Sequence, residues 1–420
     1  MHLLLFALYL AFFCWWIPRI PFLKNSGIEK RILIGLFGLR VAVGLANVYI
    51  NLVYYHGLTD MVNFYTQGIV EFHLLWHHPH QYLTNMFQSN YADPYGAFLE
   101  SSHSFWNNLR NNLIIKLMSI LDIFSGVNLY INSLLYNFVI FFGSVALYRV
   151  FIKVFSQSRF ILLIAIFLLP STLYYSSSIH RDGLIYLSLS MVIYYVYFLF
   201  EEGTHVVARL AGCTFFMIVI LLLRSFVFIT MVPALLAWWA SHRRPRYSLA
   251  IFLTIYIVFA SLFFATSLLP PAYDLPAHVS SRQIDFIITA RRSLSSLNMN
   301  PIFPNIRSFF NNIPQAFNHT FMRPYLTEST SPLVLLSAIE VLVYEILLMV
   351  FIFFRKKHFE IEPIVYFSVF LILSMFLVIG YTIPILGALA RYRSIYFPLL
   401  FIPVLCYTDW KRVKNILYIK

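Results

Sequence analysis

The chain has 420 residues, of which 60% are hydrophobic and 11% are charged, and its formal net charge is +13. Soluble domains carry about 25% charged residues, so this composition excludes an ordinary soluble protein. The basic residues occur in short clusters between apolar segments, which argues against a nucleic-acid-binding domain and favours a membrane protein whose cations set its topology.

Apolar segments recur along the whole chain, each long enough to cross a hydrocarbon core about 30 Å thick as a helix. Alternating strands of the barrel type are lacking, so the sequence predicts an all-α fold. This fold is a polytopic transmembrane helical bundle in a single integral membrane domain, 1–420. We place about eleven helices near 3–17, 33–54, 128–148, 160–177, 183–200, 206–222, 226–241, 248–268, 332–354, 363–381 and 392–408.

Lysine and arginine residues gather in alternate connections between these helices. The clusters begin near Arg19, Arg149, Arg243, Arg355 and Lys411. The positive-inside rule places them in the cytoplasm. The N-terminus is then outside, the C-terminus is cytoplasmic, and the number of crossings is odd.

Two long loops are predicted on the extracytoplasmic side, at 55–127 and 269–331. Long loops of this kind are usually functional. In the first loop, residues 107–124 have apolar side chains at helical spacing interrupted by charges, which predicts an interfacial helix. The second loop is rich in proline, and this composition predicts a small folded cap.

Asp60 follows the second helix directly, and Tyr65 stands five residues further on. A carboxylate at the boundary between water and membrane can act as a general base. The alternative is that Asp60 caps the next helix. The residues themselves leave both interpretations open.

The fourth helix ends in a run of serine and tyrosine residues that leads into His180, Arg181 and Asp182. Hydroxyl groups followed by a cation offer several hydrogen-bond donors to a phosphate or a sugar. The alternative is a tight hairpin, in which Asp182 caps the fifth helix and Arg181 reaches the lipid headgroups.

Three more arginines are predicted on the same outer side. Arg224 interrupts the apolar run 206–239 and marks an external turn, where it either reaches headgroups or faces the bundle and binds an anion. Arg391 and Arg393 precede the last helix and oppose the positive-inside bias. The guanidinium group binds phosphate in bidentate fashion, so these arginines indicate an anionic ligand.

Arg323 closes the second loop, and Glu340 lies inside the ninth helix. A glutamate within a span indicates a functional site, most simply as the partner of one of these arginines. Four histidines between 73 and 80 include His73 and His77, one helical turn apart. No acidic residue of the zincin type stands with them, and no metal site is predicted.

With Asp60 and Tyr65 in the first long external loop, the layout resembles the GT-C superfamily of glycosyltransferases. These are polytopic enzymes that take a sugar from a polyprenyl-phosphate donor and act on the outer side of the membrane. The runs 170–182 and 391–393 also resemble segments of bacterial membrane proteins from polysaccharide loci. The resemblance implies a GT-C-like fold in the bacterial cytoplasmic (inner) membrane, with Asp60 as general base and arginines on the lipid phosphate. For a further acidic residue, common in this loop of the family, Asp93 is the candidate.

The implied partners are a polyprenyl-phosphate sugar donor, a glycan or lipid-linked acceptor and membrane lipids, with no nucleic acid. Trp76, Trp106 and Tyr65 are suited to stacking on sugars or to anchoring at the interface, and Tyr65 is a candidate substrate-binding residue. No organic cofactor is implied, and a divalent cation is compatible with the reaction. Two alternatives stay open: a polysaccharide polymerase or ligase that uses the same donor, and a lipid-linked oligosaccharide transporter or flippase.

Overall fold

The computed structural model describes residues 1–88, 105–291, 295–328, 331–357 and 360–417. Within these ranges the protein is all-α and contains no β-strand. The helices are α1 (His2–Trp16), α2 (Pro21–Lys24), α3 (Lys30–Tyr49), α4 (Asp60–His77), α5 (Pro79–Thr84), α6 (Phe105–Ser125), α7 (Leu129–Val154), α8 (Arg159–Phe167), α9 (Pro170–Ser177), α10 (Arg181–Glu202), α11 (Val206–Leu223), α12 (Ser225–Arg243), α13 (Ser248–Ala265), α14 (Leu275–Ala290), α15 (Ile306–Phe317), α16 (Pro332–Phe354), α17 (Pro363–Thr382), α18 (Leu386–Ser394), α19 (Phe397–Tyr407) and α20 (Trp410–Leu417).

Nine helical stretches of the described chain are long and apolar enough to cross a membrane, and two bent helix pairs raise the number to eleven. The nine stretches contain α1, α3, α7, α10, α11, α12, α13, α16 and α17. Each predicted segment coincides with a helix or a bent helix pair, so the prediction of a multi-pass, all-α membrane protein is confirmed.

The fourth and eleventh predicted segments are bent rather than continuous. The axes of α8 and α9 differ by 50°, and those of α18 and α19 differ by 63°. Pro170 begins α9 and has no N–H to donate to the turn before it, which accounts for the first break. Pro398 stands in the first turn of α19, just after the second break. Arg391 and Arg393 therefore lie within a short helix, α18, rather than in a connection.

The chain divides into two compact units. The first contains Met1–Lys153 and Thr172–Ser225, and the second contains Val154–Ser171 and Phe226–Lys420. In the first unit, α4 packs along α6 and α10 packs along α11. Glycine allows both approaches, because a Cβ atom at Gly68 or Gly212 would lie 2.6 Å from a neighbouring side chain, Met118 or Tyr195 respectively.

The helix predicted at 107–124 is present as α6, but its charged groups face inward. Lys116 and Asp122 are buried, whereas Ile120, Ile123 and Phe124 are exposed. Buried charges need partners, and Asp122 accepts a hydrogen bond of 2.7 Å from the side-chain amide of Asn132 on α7. The buried side of α6 therefore combines these charged groups with apolar side chains such as Ile114 and Met118, and other apolar side chains of the helix are exposed.

In the second unit, α17 is the central helix, and α13, α14, α15 and α19 pack against it. Gly380 of α17 faces the carbonyl group of Ala316 in α15, where a side chain would collide with the backbone. The hydroxyl of Thr320 donates a hydrogen bond of 2.8 Å to the carbonyl of Phe376 and ties the end of α15 to α17. This contact positions the segment that follows, which holds Arg323.

Candidate functional site

The structure brings four of the predicted residues of the first unit together. Asp60 is the first residue of α4, His180 immediately precedes α10, and Asp182 is the second residue of that helix. Arg224 stands at the break between α11 and α12, as the sequence predicts. Because a helix N-terminus leaves N–H groups without partners inside the helix, acidic side chains are stabilised at both of the positions that Asp60 and Asp182 occupy.

His180 lies between two carboxylates. Its Nδ1 atom is 2.8 Å from Oδ2 of Asp182, and its Nε2 atom is 3.7 Å from Oδ2 of Asp60. On the other side, Nη2 of Arg224 is 2.5 Å from Oδ1 of Asp182. The ionisable groups thus follow one another in the order Arg224, Asp182, His180, Asp60.

Burial differs sharply along this row. The side chains of Asp182, His180 and Arg224 are 1%, 6% and 6% exposed, whereas that of Asp60 is 60% exposed. A buried carboxylate is costly unless it is paired, so Arg224 offsets the charge of Asp182. The row therefore begins inside the protein and ends on a carboxylate that an external molecule can reach.

The backbone around His180 is held by neighbouring side chains. The hydroxyl of Tyr136 donates a hydrogen bond to the carbonyl of His180. Gly183 makes this possible, because a Cβ atom at that position would collide with the Tyr136 hydroxyl and lie 2.6 Å from the carbonyl oxygen of Ser176. The imidazole ring also packs 5.9 Å, centre to centre, from the ring of Phe64. These contacts hold the imidazole in the orientation that faces both carboxylates.

Arg181 is adjacent to this row. Its guanidinium carbon lies 5.5 Å from the centre of the Phe64 ring, and the residue is partly exposed. Tyr65, by contrast, donates its hydroxyl to the carbonyl of Val127 at 3.0 Å. Burial raises the pKa of Tyr65, and the nearby Asp122 adds to the rise. The structure thus gives Tyr65 a bond that ties α4 to the start of α7.

Arg40, a buried arginine of α3 in the same unit, was not among the predicted site residues. It donates to the carbonyl of Ser176 at 2.8 Å, to the hydroxyl of Ser176 at 2.9 Å and to that of Ser144 at 3.3 Å. Arg40 therefore fixes the backbone four residues before His180. An arginine inside the apolar run 33–54 is the signal that could have found it.

The other four predicted residues belong to the second unit: Arg323, Glu340, Arg391 and Arg393. Arg393 is only 1% exposed. It donates to the carbonyl of Thr320 at 2.8 Å, to that of Arg323 and to the hydroxyl of Ser337. These bonds give Arg393 a structural role in holding the segment around Arg323 against α16.

Arg323 and Glu340 have partners within the second unit. Arg323 forms an ion pair of 3.0 Å with Glu328. Glu340 accepts a hydrogen bond of 2.9 Å from the backbone N–H of Ser171 and one from the hydroxyl of Tyr344. An arginine was the predicted partner of Glu340, but the carboxylate instead lies at the N-terminus of α9, where N–H groups attract a negative charge.

Arg391 is partly buried and adjoins the side chain of Tyr392. Its Nη2 atom is 3.5 Å from the Tyr392 hydroxyl. Arg282 of α14 interacts electrostatically with the same tyrosine. Burial lowers the pKa of Arg282, and Tyr392 and Asp285 oppose this shift. Arg391 and Arg282 thus both interact with Tyr392, and the carboxylate of Asp285 also interacts with Arg282.

Asp93 lies outside the described residues, and Trp76 is exposed on α4. Among the residues that the structure describes, no group of three or more His, Cys, Asp or Glu side chains has the geometry of a metal site. The histidines between 73 and 80 are exposed residues of α4, α5 and the link between them.

Comparison with family models, with curated proteins and with solved structures finds no match for this chain. The functional assignment therefore depends on the chemistry and geometry of the residues described above.

Proposed function

We propose that this protein is a membrane glycosyltransferase of the GT-C type, which transfers a sugar from a polyprenyl-phosphate-linked donor to a glycan or lipid-linked acceptor. The observation that carries the proposal is the position of His180 between the buried Asp182 and the exposed Asp60. An exposed carboxylate that an acceptor can reach, with an imidazole beside it, supports a role in general-base catalysis.

In the proposed reaction, Asp60 takes the proton of an acceptor hydroxyl. The acceptor oxygen then forms a bond to the anomeric carbon of the donor sugar, while the bond between that carbon and the phosphate oxygen breaks. The polyprenyl phosphate leaves with the electron pair. Positioned general bases of this kind contribute roughly 10²–10⁴-fold to a rate.

His180 acts on this reaction through Asp60. Asp182 lies against the Nδ1 side of the ring, so Nε2 is the ring nitrogen that faces the general base, at 3.7 Å. Arg224 balances the charge of Asp182. His180, Asp182 and Arg224 are therefore positioning residues in this proposal, and Asp60 is the group that touches the acceptor.

The leaving phosphate needs a positive charge near it. In the first unit, Arg181 is adjacent to His180 in sequence and partly exposed, and we assign it to the donor phosphate. In the second unit, Arg391 with Tyr392 and Arg282 is proposed independently as an anion-binding group. Following the positive-inside argument, the reaction is proposed to occur on the extracytoplasmic face of the bacterial inner membrane.

The proposal is tested in membrane vesicles that contain the wild-type protein, Asp60→Asn or His180→Gln, supplied with a panel of radiolabelled polyprenyl-phosphate sugars. We expect Asp60→Asn to lower transfer by at least about 100-fold. His180→Gln should lower transfer less and should change its pH profile, which a merely structural role would not do. Glu201→Gln is the matched control, because Glu201 is an exposed carboxylate near the other end of α10.

A wild-type rate of transfer in Asp60→Asn membranes would contradict the proposal. Product length distinguishes the related alternative, since a polymerase or ligase joins whole oligosaccharides and a monosaccharide transferase adds one unit. Movement of a labelled lipid-linked oligosaccharide across the vesicle membrane, with no new glycosidic bond, would indicate a flippase instead.

A further inference from the structure

A cavity of about 290 Å³ lies between α4, α5, α6 and the turn that follows α5, within the first unit. Its size is at the lower end of the range for small-molecule sites. Most of its described lining is polar, and side-chain amides are the most frequent group: Gln67, Gln81, Asn85, Gln88 and Asn112. Amide-rich walls of this kind are unusual for a packing defect, which is normally apolar.

The two charged residues of the lining neutralise each other. Nζ of Lys116 is 2.5 Å from Oε2 of Glu71, and it also binds Oδ1 of Asn85 at 2.6 Å. The amide of Asn85 in turn donates to Oε1 of Glu71 at 2.7 Å. Because this cation and this carboxylate satisfy each other, the cavity offers no excess charge to an ionic ligand.

Two of the amides belong to exposed side chains. The side chains of Gln81 and Gln88 are exposed, and neither makes a hydrogen bond to any residue that the structure describes. A side-chain amide both donates and accepts, so it matches a hydroxyl group, which does the same. Several such amides around one space favour a neutral molecule with many hydroxyl groups.

The cavity and Asp60 lie on the same face of α4. Gln67 and Glu71 follow Asp60 by seven and eleven positions. At about 100° per residue, both stand within about 20° of Asp60 around the helix axis, at a rise of roughly 10 Å and 16 Å. Asn63, another polar residue between Asp60 and the cavity, is joined to Gln67 by a hydrogen bond of 2.9 Å. A long ligand in the cavity could thus follow α4 to Asp60.

We propose that this amide-lined cavity binds a neutral oligosaccharide and that α4 directs the end of that oligosaccharide toward Asp60. The binding part of the inference stands on the cavity alone, whereas the identification of the oligosaccharide as the acceptor rests on the proposed glycosyltransferase function. The ligand class follows from the paired charges and the amides of the lining.

The test measures binding of the full-length, detergent-solubilised protein to an array of neutral and acidic oligosaccharides of two to six sugar units. We expect the wild-type protein to retain neutral oligosaccharides and not their uronic-acid or phosphorylated counterparts. The double variant Gln81→Leu with Gln88→Leu should weaken this binding about tenfold, because it removes two hydrogen-bonding side chains. Both side chains are exposed, so the variant should fold. Gln157→Leu, an exposed amide outside the cavity, is the matched control and should bind as the wild type does.

Unchanged binding in the double variant, binding of acidic oligosaccharides alone, or no retention of any oligosaccharide would overturn the inference. The variant Asp60→Asn distinguishes failure of the oligosaccharide-binding inference from failure of the proposed glycosyltransferase function. If that variant and the wild type bind oligosaccharides equally but the wild type transfers no sugar, the cavity stands and the glycosyltransferase proposal fails. If the wild type transfers sugar and the double variant leaves the KM for the acceptor unchanged, the cavity is not the acceptor site, although the protein is a glycosyltransferase.

Discussion

Nδ1 of His180 lies 2.8 Å from Oδ2 of Asp182, and the two side chains are 6% and 1% exposed. They are two residues apart, but the turn into α10 brings them face to face. Asp182 is the hidden member, and the ring of His180 extends from it toward the exposed Asp60. The pair therefore connects the interior of the first unit to a group at its surface.

The pairing of Arg224 with Asp182 should matter strongly for stability. Removing one partner of a buried ion pair leaves an unpaired charge and typically costs about 3–5 kcal/mol, so Arg224→Gln should lower the free energy of unfolding by that amount. The measurement is thermal unfolding in detergent. Arg246→Gln, at an exposed position, is the control and should have little effect.

The double variant Arg224→Gln with Asp182→Asn should be more stable than Arg224→Gln alone, because it buries no unpaired charge. Such non-additivity identifies direct coupling of the two side chains. If the stability losses of Arg224→Gln and Asp182→Asn simply add in the double variant, the two side chains do not form the pair that the structure shows.

Gly183→Ala should destabilise the protein and displace His180. Its Cβ atom would collide with the Tyr136 hydroxyl and lie 2.6 Å from the carbonyl oxygen of Ser176. Overpacking of this kind costs about 1–3 kcal/mol. Adding Tyr136→Phe should restore part of the loss, since it removes one of the two colliding atoms. Thermal unfolding again provides the measurement.

Gly387→Ala is the control for Gly183→Ala. Gly387 lies in α18 with no atom within 4 Å of the added Cβ position. The substitution should be neutral or stabilising by about 0.5–1 kcal/mol, because alanine loses less backbone entropy than glycine in a helix. Equal destabilisation by both substitutions would contradict the close packing around Gly183.

His319 should make the stability of the protein depend on pH. Burial lowers the pKa of His319 from 6.5 to about 4, and the charge of Arg323 adds to the shift. Between about pH 6.5 and pH 4 the unfolded chain binds a proton that the folded protein does not, so stability is present above pH 6.5 and falls as the pH is lowered through this window. The full loss from this group is about 3 kcal/mol.

The measurement is the change in thermal unfolding between pH 7 and pH 5 for the wild type and for His319→Gln. The variant should lose less stability on acidification, because its side chain does not titrate. His56→Gln, at an exposed position, should behave as the wild type does. An identical loss of thermal stability between pH 7 and pH 5 in the wild type and His319→Gln would contradict the lowered pKa of His319.

The predicted orientation has its own test. A green fluorescent protein fused after Lys420 should fluoresce, and alkaline phosphatase fused at the same position should be inactive, because the C-terminus is predicted to be cytoplasmic. Alkaline phosphatase inserted within 269–331 should be active. The reverse pattern would place the arginines of 391–393 on the cytoplasmic side. Arginines there agree with the positive-inside bias, so they would no longer indicate an anionic ligand.

The positions of the membrane-crossing helices could be predicted from the sequence. Whether about 20 residues are apolar enough to cross a bilayer is a property of the segment itself and needs no partner. The turn at Arg224 could also be predicted, because a cation interrupts an apolar run there. The two bends were not predicted, although Pro170 stands at one of them, because proline within a span either kinks it or is accommodated by neighbouring helices.

The partners of the polar residues could not be predicted, because packing between helices distant in sequence decides them. His180, Arg181 and Asp182 were recognised as one polar group, yet only the tertiary structure pairs Asp182 with Arg224 and turns His180 toward Asp60. Arg391 and Arg393 have the same residue type and neighbouring positions. The fold buries Arg393 against backbone carbonyls and leaves Arg391 beside Tyr392, since residues two apart on a helix point in different directions. Hydropathy along the chain thus determined where the protein crosses the membrane, and the packing of its helices decided which charges meet.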